Sequence, residues 1–171
     1  MSEFGRLVER EIPRLRRYAR ALTRNAERAD DLVQETLLRA ISKCHLWQRG
    51  TDLRAWLFTI MHNQHVNLVR RAVRDETAID IEQVSTSLVA ISDPTASRQL
   101  RELERAIGCL PEEQRAVILL VGLEGMSYEA AAQILNVPIG TVRSRLSRGR
   151  DELRRLLDLP RKAPEARQLA A

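Results

Sequence analysis

The sequence SYEAAAQILNVPIGTVRSRLSRGR, residues 127–150, predicts two helices joined by a tight turn. The first helix buries a face of small and apolar side chains: Ala130, Ala131, Ile134 and Leu135. Asn136 stands at the turn, because a short polar side chain tolerates the left-handed backbone that most residues avoid. Pro138 opens the second helix, where its missing N–H costs little.

The second helix of this pair has an apolar face and a basic face. The apolar face is a stripe with helical spacing: Val142, Leu146, Gly149 and Leu153. The outward positions carry guanidinium and hydroxyl groups: Arg143, Ser144, Ser147 and Arg148, with Arg145 and Arg150 beside them. Such groups bind phosphates and base edges in the major groove of DNA. We therefore predict a DNA-binding helix-turn-helix, with a helical hairpin that has a solvated basic face as the alternative.

The composition predicts an all-α protein with one domain or two small ones. The chain has 171 residues, of which 4% are aromatic and only 7 are glycine. Its formal net charge is +5, but the charges are segregated along the chain. Basic residues cluster at 14–24, 70–74 and 143–155, and acidic residues at 30–35 and 75–82. This segregation indicates more than one charged partner.

Several classes of function are excluded by what the sequence lacks. Its apolar runs are too short to span a membrane and its N-terminus is too charged for a secretory signal, so we expect a cytoplasmic protein without membrane insertion. Cys44 and Cys109 lack metal-ligand spacing, and we expect both to be reduced and mostly buried. His62 and His65 share a helix face without a third ligand. We therefore expect no metal, no cofactor and no catalytic residue.

The hydrophobic periodicity predicts two helical domains, at 1–74 and 97–159, joined by an acidic flexible linker at 75–96 and followed by a frayed tail at 160–171. The first domain has predicted helices at about 3–23, 29–44 and 53–74, with Pro13 causing a kink or a break near Ile12. Thr51 or Asp52 caps the third helix. The second helix is expected to bury one face: Leu32, Val33, Thr36, Leu37, Ala40 and Ile41.

The motifs and their order resemble those of bacterial RNA polymerase sigma factors of the extracytoplasmic-function (ECF) type, group 4 of the sigma-70 family. The C-terminal motif is LPEEQRAVILLVGLEGMSYEAAAQILNVPIGTVRSRLSRGRDELRRLL, residues 110–157. The N-terminal motifs are ADDLVQETLLRAI, residues 29–41, and RAWLFTIMHNQHVNLVRR, residues 54–71. VGLEG, residues 121–125, resembles the EcfG-like general-stress subgroup. The resemblance implies a transcription initiation factor, not an enzyme, that binds core polymerase, promoter DNA and an anti-sigma factor.

An acidic face on the second helix predicts protein docking. Asp31, Gln34 and Glu35 lie at i, i+3 and i+4, so they project from one side of the helix. Such a face in a basic protein suits a protein partner, and a solvated charged face is the alternative. The resemblance implies that these residues bind the clamp helices of the polymerase β′ subunit, with the β subunit as a further contact.

The third helix resembles the part of a sigma factor that reads the melted −10 promoter element. A melted strand is bound by polar edges, positive charge and stacking surfaces. The resemblance places a pocket for a flipped base at the loop 46–53 and Asn63, and residues of the third helix are expected to extend it: His62, Gln64 and Asn67 as polar lining, then Arg70, Arg71 and Arg74 at phosphates. Trp56 and Met61 are expected in the core.

The helix-turn-helix resembles the reader of the −35 promoter element. The family's DNA-contacting positions correspond to Arg143, Ser144, Ser147 and Arg148, with Arg145 at a phosphate. Val121 stands where many family members have an arginine, so one DNA contact is absent. The resemblance implies that the linker runs toward the polymerase active centre, where its acids would act as a placeholder that nascent RNA displaces, and a passive tether is the alternative: Asp75, Glu76, Asp80 and Glu82.

Two other functions compete with a promoter-specificity factor. A sigma mimic would titrate an anti-sigma factor, but it would have no need of the arginines on the second helix of the helix-turn-helix. A stand-alone helix-turn-helix regulator would leave residues 1–74 unexplained. An enzyme such as a nuclease would need a metal-binding carboxylate cluster, which the sequence does not suggest.

Overall fold

The computed structural model describes residues 3–74 and 94–159, and this part of the chain is all-α. The N-terminal domain contains three helices: α1 (Glu3–Thr23), α2 (Ala26–Ser42) and α3 (Leu53–Arg74). The C-terminal domain contains four: α4 (Pro94–Cys109), α5 (Glu112–Ile118), α6 (Tyr128–Leu135) and α7 (Ile139–Leu156). A 3₁₀ turn spans Cys44–Leu46 and a π-helical turn spans Leu119–Leu123. The predicted placeholder acids and the predicted frayed tail lie outside the described residues.

Helix α1 runs without a break through Pro13, so the predicted break near Ile12 is wrong. Proline removes the backbone N–H that would bond the carbonyl of Glu9. Both Pro13 and Glu9 are exposed, so water can satisfy that carbonyl while the opposite face of the helix stays packed. Leu15, Tyr18 and Leu22 form that packed face.

Helix α2 begins three residues earlier than predicted because Asn25 caps it, accepting a hydrogen bond at 2.9 Å from the backbone N–H of Arg28. Its inner face contains Leu32, Val33 and Thr36 as predicted. The predicted burial of Ile41 is wrong, because this side chain is 60% exposed. Ala40, its neighbour, is the residue that completes the buried face.

The core of the N-terminal domain is built around aromatic and aliphatic side chains of α1 and α3. Tyr18 and Phe58 meet edge to face with ring centroids 5.1 Å apart, and Met61 is fully buried as predicted. Trp56 is partly buried and meets Phe4 edge to face at 6.3 Å. The start of α3 is capped by Asp52, which accepts a hydrogen bond at 3.0 Å from the backbone N–H of Ala55.

The helix-turn-helix forms as the sequence predicts. The Ser127 hydroxyl caps α6 by accepting a hydrogen bond at 3.1 Å from the N–H of Ala130. Asn136 ends this helix with φ 52° and ψ 50°, the left-handed conformation expected for it. Pro138 directly precedes α7. Gly149 allows α5 and α7 to approach closely, since a Cβ there would lie 3.0 Å from Cγ1 of Ile118.

The two domains pack directly on one another. Helix α3 lies against α6, and α1 lies against the π-helical turn, α4 and α5. Their buried residues form one continuous hydrophobic cluster. Cys44 and Cys109 are both exposed, so their predicted burial is wrong. The reason is position, because Cys44 begins the 3₁₀ turn and Cys109 ends α4.

Candidate nucleic-acid and protein interfaces

The exposed surface of α7 presents cationic and hydroxyl side chains, of which Arg148 lies in a groove beside α4 and α5, apart from the others. The exposed members are Arg143, Ser147, Arg148 and Arg150, while Val142, Leu146 and Gly149 on the opposite side are buried. Tyr128 of α6 joins Arg143, Ser147 and Arg150 in lining a shallow groove. Ser144 is half-buried, and its hydroxyl donates to the carbonyl of Thr141 at 3.0 Å. This face offers guanidinium groups that suit phosphates and base edges.

Arg145 differs from its neighbours because it has a partner in its own domain. Its Nη2 atom lies 2.9 Å from Oε2 of Glu113, and its side chain is only 20% exposed. The predicted phosphate contact of Arg145 would therefore compete with an ion pair that joins α7 to the start of α5. Val121 is partly buried against the core, so no cationic side chain projects from that position.

The predicted −10 residues of α3 divide between two faces of the helix. Five of them form one exposed stripe: Asn63, Asn67, Arg70, Arg71 and Arg74. The last four of these line a shallow surface groove. His62 lies on another face, toward the C-terminal domain, where burial lowers its pKa to about 4 and its Nδ1 atom is enclosed without a hydrogen-bond partner among the described residues. His62 is therefore set apart from the exposed stripe in this arrangement.

Two other polar side chains of α3 are buried by specific partners. Gln64 donates a hydrogen bond at 3.2 Å to Oε1 of Glu35 in α2, so it does not line an open pocket. His65 has its Nε2 atom 2.8 Å from Oε1 of Glu112, across the contact between the domains. This hydrogen bond is the main cause that lowers the pKa of Glu112. No local sequence pattern indicates the pairing of His65 with Glu112, because the two residues are 47 positions apart.

The loop before α3, which the resemblance places at a base pocket, is partly closed by aromatic packing. The ring of Trp47 lies 5.6 Å from that of Phe4, centroid to centroid. Its indole Nε1 atom is buried and lacks a hydrogen-bond partner among the described residues. Gln48, Arg49 and Gly50 are exposed. The loop thus combines exposed polar groups with an aromatic wall.

The outer face of α2 combines acidic, amide and apolar side chains. Asp31, Gln34 and Glu35 are exposed on one side of the helix, as predicted from their spacing. Leu38 and Ile41 extend this face and are 64% and 60% exposed. Sequence reasoning missed the apolar part, because periodicity assigned Ile41 to the core. Large exposed apolar side chains beside charged ones are typical of a protein interface.

A buried carboxylate joins the two domains. Glu124, directly after the π-helical turn, has no exposed side-chain surface. Arg17 of α1 donates to its Oε1 atom from Nε and Nη2, at 3.0 and 2.9 Å. Arg54 of α3 donates to its backbone carbonyl and lies 3.5 Å from Oε2. The one available sequence signal was a glutamate within the apolar run 116–126.

No group of three or more histidine, cysteine or carboxylate side chains within residues 3–74 and 94–159 is arranged to hold a metal ion. Among the helices of the described ranges, none has the length and apolar character needed to cross a membrane.

Comparison with known proteins identifies both domains. Residues 8–62 match the family described as "Sigma2 domain of PhyR", and residues 100–153 match "Sigma-70, region 4". The ECF RNA polymerase sigma factor EcfG of Rhodopseudomonas palustris is 42% identical over 146 residues, which cover 85% of this chain and 80% of that protein.

Two solved structures have a similar fold over most of the chain. The sigma factor RpoE of Bartonella quintana, crystallised with the anti-sigma factor NepR, has a TM-score of 0.80 at 34% identity, covering 94% of this chain and 100% of that one. CnrH, solved with the cytosolic domain of CnrY, has a TM-score of 0.65 at 29% identity, with coverages of 91% and 87%. The chain matches two sigma-factor domains in order, and EcfG is 42% identical to it over most of both chains. This protein therefore belongs to the ECF sigma factors of RNA polymerase.

Proposed function

We propose that this sigma factor docks on core RNA polymerase through the outer face of α2 and directs it to promoters by reading the −10 element with α3 and the −35 element with α7. The observation that carries the proposal is the presence of two separate exposed basic stripes, one in each domain. A single DNA-binding module would need only one. Two weak modules gain selectivity when a larger assembly holds them at a fixed separation.

The α7 stripe suits duplex DNA. Arg143 and Arg148 are exposed and lie five residues apart on a helix whose other side is buried in its own domain. Arginine binds guanine edges or phosphates through its planar fork of donors. Arg145, held by Glu113, contributes less to DNA binding than Arg148 in this proposal.

The α3 stripe suits a melted strand. Asn63 and Asn67 supply amide donors and acceptors for base edges, and Arg70, Arg71 and Arg74 continue the same face toward the end of the helix. This order, polar groups first and cations beyond them, fits a displaced base followed by its phosphate backbone. His62 joins this site only in an arrangement that uncovers it.

The outer face of α2 supports docking on a protein. Asp31 and Glu35 supply negative charge, and Leu38 and Ile41 supply apolar area that water would otherwise cover. From the family resemblance, we propose that this face binds the β′ clamp helices. An anti-sigma factor is a further proposed partner, because the similar structures of RpoE and CnrH contain NepR and CnrY.

Transcription with purified core polymerase tests the proposal. The chain should initiate from a template with paired −35 and −10 elements, and Arg148→Ala should weaken promoters that depend on the −35 element. Asn63→Ala should impair melting or −10 selection. Arg101→Ala, an exposed arginine of α4, is the control and should transcribe normally.

The alternatives give different results in the same experiment. Polymerase binding without initiation supports a sigma mimic. This alternative is considered because residues 8–62 match a family described as the sigma2 domain of PhyR. Tight binding to duplex DNA without polymerase supports a stand-alone regulator. Normal transcription by both Arg148→Ala and Asn63→Ala contradicts the assigned DNA contacts.

A further inference from the structure

The contact between the two domains is centred on Glu124 and two arginines, which together we call the Glu124 latch: Glu124, Arg17 and Arg54. The carboxylate belongs to the C-terminal domain and both guanidinium groups to the N-terminal domain. The side chain of Glu124 has no exposed surface, whereas Arg17 and Arg54 are 38% and 26% exposed. Every side-chain partner the structure gives Glu124 therefore comes from the opposite domain.

A carboxylate removed from water is tolerated only when it is paired and hydrogen-bonded. If the domains stayed in contact without the arginines, Glu124 would be buried and uncompensated. If the domains separated, all three groups would return to water. The latch therefore links the ion pairs of this one site to the packing of the two domains.

A second set of contacts joins the carboxyl ends of α1 and α4. Arg115 donates to the carbonyl of Leu22 at 3.3 Å and to that of Gly108 at 2.9 Å. Arg24 donates to the same Gly108 carbonyl at 3.1 Å. Because helix carboxyl ends carry partial negative charge, two guanidinium groups between them favour the contact. The His65–Glu112 hydrogen bond is a third link.

The closed arrangement is incompatible with reading two promoter elements at once. The −10 and −35 elements are about 25 base pairs apart, roughly 85 Å along a straight duplex. Here α3 packs directly on α6, the helix that precedes the −35 reader. His62 is also covered, facing Glu112 and Arg145 of the C-terminal domain. Promoter reading therefore requires the domains to separate.

We infer that the Glu124 latch holds the free chain in a closed conformation in which its two DNA-reading helices cannot act together, and that breaking the latch releases them. The existence of the latch is inferred from the contacts of Glu124 with Arg17 and Arg54. Only its consequence for promoter reading rests on the proposed function. A partner opens the latch only if it binds the separated domains better than the closed chain. That difference in binding free energy must exceed the free energy with which the latch holds the domains together.

The experiment measures domain opening directly, through the reactivity of a cysteine placed in the contact. The reporter chain carries Cys44→Ser, Cys109→Ser and His62→Cys, so its one thiol lies where the C-terminal domain covers His62. The rate at which a soluble maleimide labels this thiol reports how often the domains separate. The same chain in urea gives the rate of the uncovered thiol.

Glu124→Gln in the reporter chain should raise the labelling rate about tenfold or more, since hydrogen bonds to a charged group are worth at least that factor. Glu129→Gln, an exposed glutamate on α6, is the matched control and should leave the rate unchanged. Gly108→Ala should also raise the rate, because its Cβ would lie 2.5 Å from Cζ of Arg24 and displace that guanidinium. Alanine favours the helix, so α4 itself stays intact.

Circular dichroism shows whether each variant is folded. Arg17→Gln, which removes the two hydrogen bonds from Arg17 to Oε1 of Glu124, decides the matter if Glu124→Gln is not folded. Equal labelling rates for the parent, Glu129→Gln and the folded latch variants would overturn the inference. A parent chain that labels as fast as in urea would overturn it as well, because no closed state would then exist.

Affinity for core polymerase separates this inference from the proposed function. If both hold, Glu124→Gln should lower the apparent Kd for core polymerase by about the factor seen in labelling, because the open fraction sets that Kd. If neither the parent nor the variant binds polymerase, the proposed function fails, while the labelling rates still decide whether the latch exists.

Discussion

Gln64 of α3 donates a hydrogen bond to Glu35 of α2, at 3.2 Å from Nε2 to Oε1. The bond connects the helix proposed to read the −10 element with the face proposed to dock on polymerase. Glu35 also accepts a hydrogen bond at 3.2 Å from Arg39, four residues along its own helix. A partner that binds Glu35 therefore changes the surroundings of a residue adjacent to Asn63.

We expect Gln64→Met to destabilise the protein by about 1 kcal/mol. Methionine keeps the length and volume of glutamine, so the loss comes from the hydrogen bond to Glu35 and not from a cavity. Because Glu35 is half-exposed, water replaces part of that bond and keeps the cost small. Urea denaturation measures the change, and Gln34→Met, an exposed neighbour of Glu35, is the control. A larger loss from the control would contradict the assignment.

Asn136 is expected to tolerate glycine but not alanine. Its φ of 52° lies in the left-handed region, which costs an alanine about 1 kcal/mol and a glycine almost nothing. Asn136→Ala should therefore lower the free energy of unfolding by about that amount, while Asn136→Gly should leave it nearly unchanged. Thermal unfolding measures both, with Gln133→Ala on the exposed face of α6 as the control. Equal stability of the alanine and glycine variants would show that backbone strain is not the cause.

Elements with strong periodicity or clear turn chemistry could be predicted from the sequence. Helix α3 has the predicted bounds, and the helix-turn-helix follows from a left-handed asparagine and a proline at fixed positions. Ile41 was misassigned because a helical period cannot tell the edge of a buried stripe from its centre. The predicted break at Pro13 is wrong for a related reason. The hydrophobic pattern does not show that the carbonyl of Glu9, which loses its hydrogen bond, faces water.

The sequence predicts which residues belong to each candidate surface, but it does not predict the contact between the domains. The exposure of Asp31, Gln34 and Glu35 follows from their spacing on one helix. The separation of His62 from Asn63 does not, because it depends on where the C-terminal domain lies. Glu124 and Arg17 are 107 residues apart, so no local pattern connects them.

Arg148 and Arg145 should contribute differently to DNA binding. Arg148 is exposed and free to contact DNA. If it contacts a phosphate, Arg148→Ala should reduce the salt dependence of promoter binding by about one counterion. If it contacts a base, the variant should lose about 1–3 kcal/mol of binding free energy at one base pair. Arg145→Ala should mainly lower stability, because its guanidinium pairs with Glu113. Binding of the polymerase complex to promoter DNA at several salt concentrations, with unfolding measured in parallel, distinguishes them. The reverse order of effects would mean that Arg145 leaves Glu113 for DNA.

Acid should destabilise the protein between pH 7 and pH 5 through His62. Burial lowers the pKa of His62 to about 4, with His65 and Arg145 adding to the effect and Glu112 opposing it. The unfolded chain, where histidine titrates near 6.5, therefore binds a proton in this range that the folded chain does not. The free energy of unfolding should fall by about 2 kcal/mol from pH 7 to pH 5 and stop falling below the folded pKa.

His62→Gln isolates this contribution, because glutamine does not titrate. Urea denaturation at pH 7 and pH 5 should show a smaller loss for His62→Gln than for the parent, while His45→Gln, an exposed histidine of the 3₁₀ turn, should keep the full loss. If both variants lose the same stability as the parent, His62 is not the group that titrates.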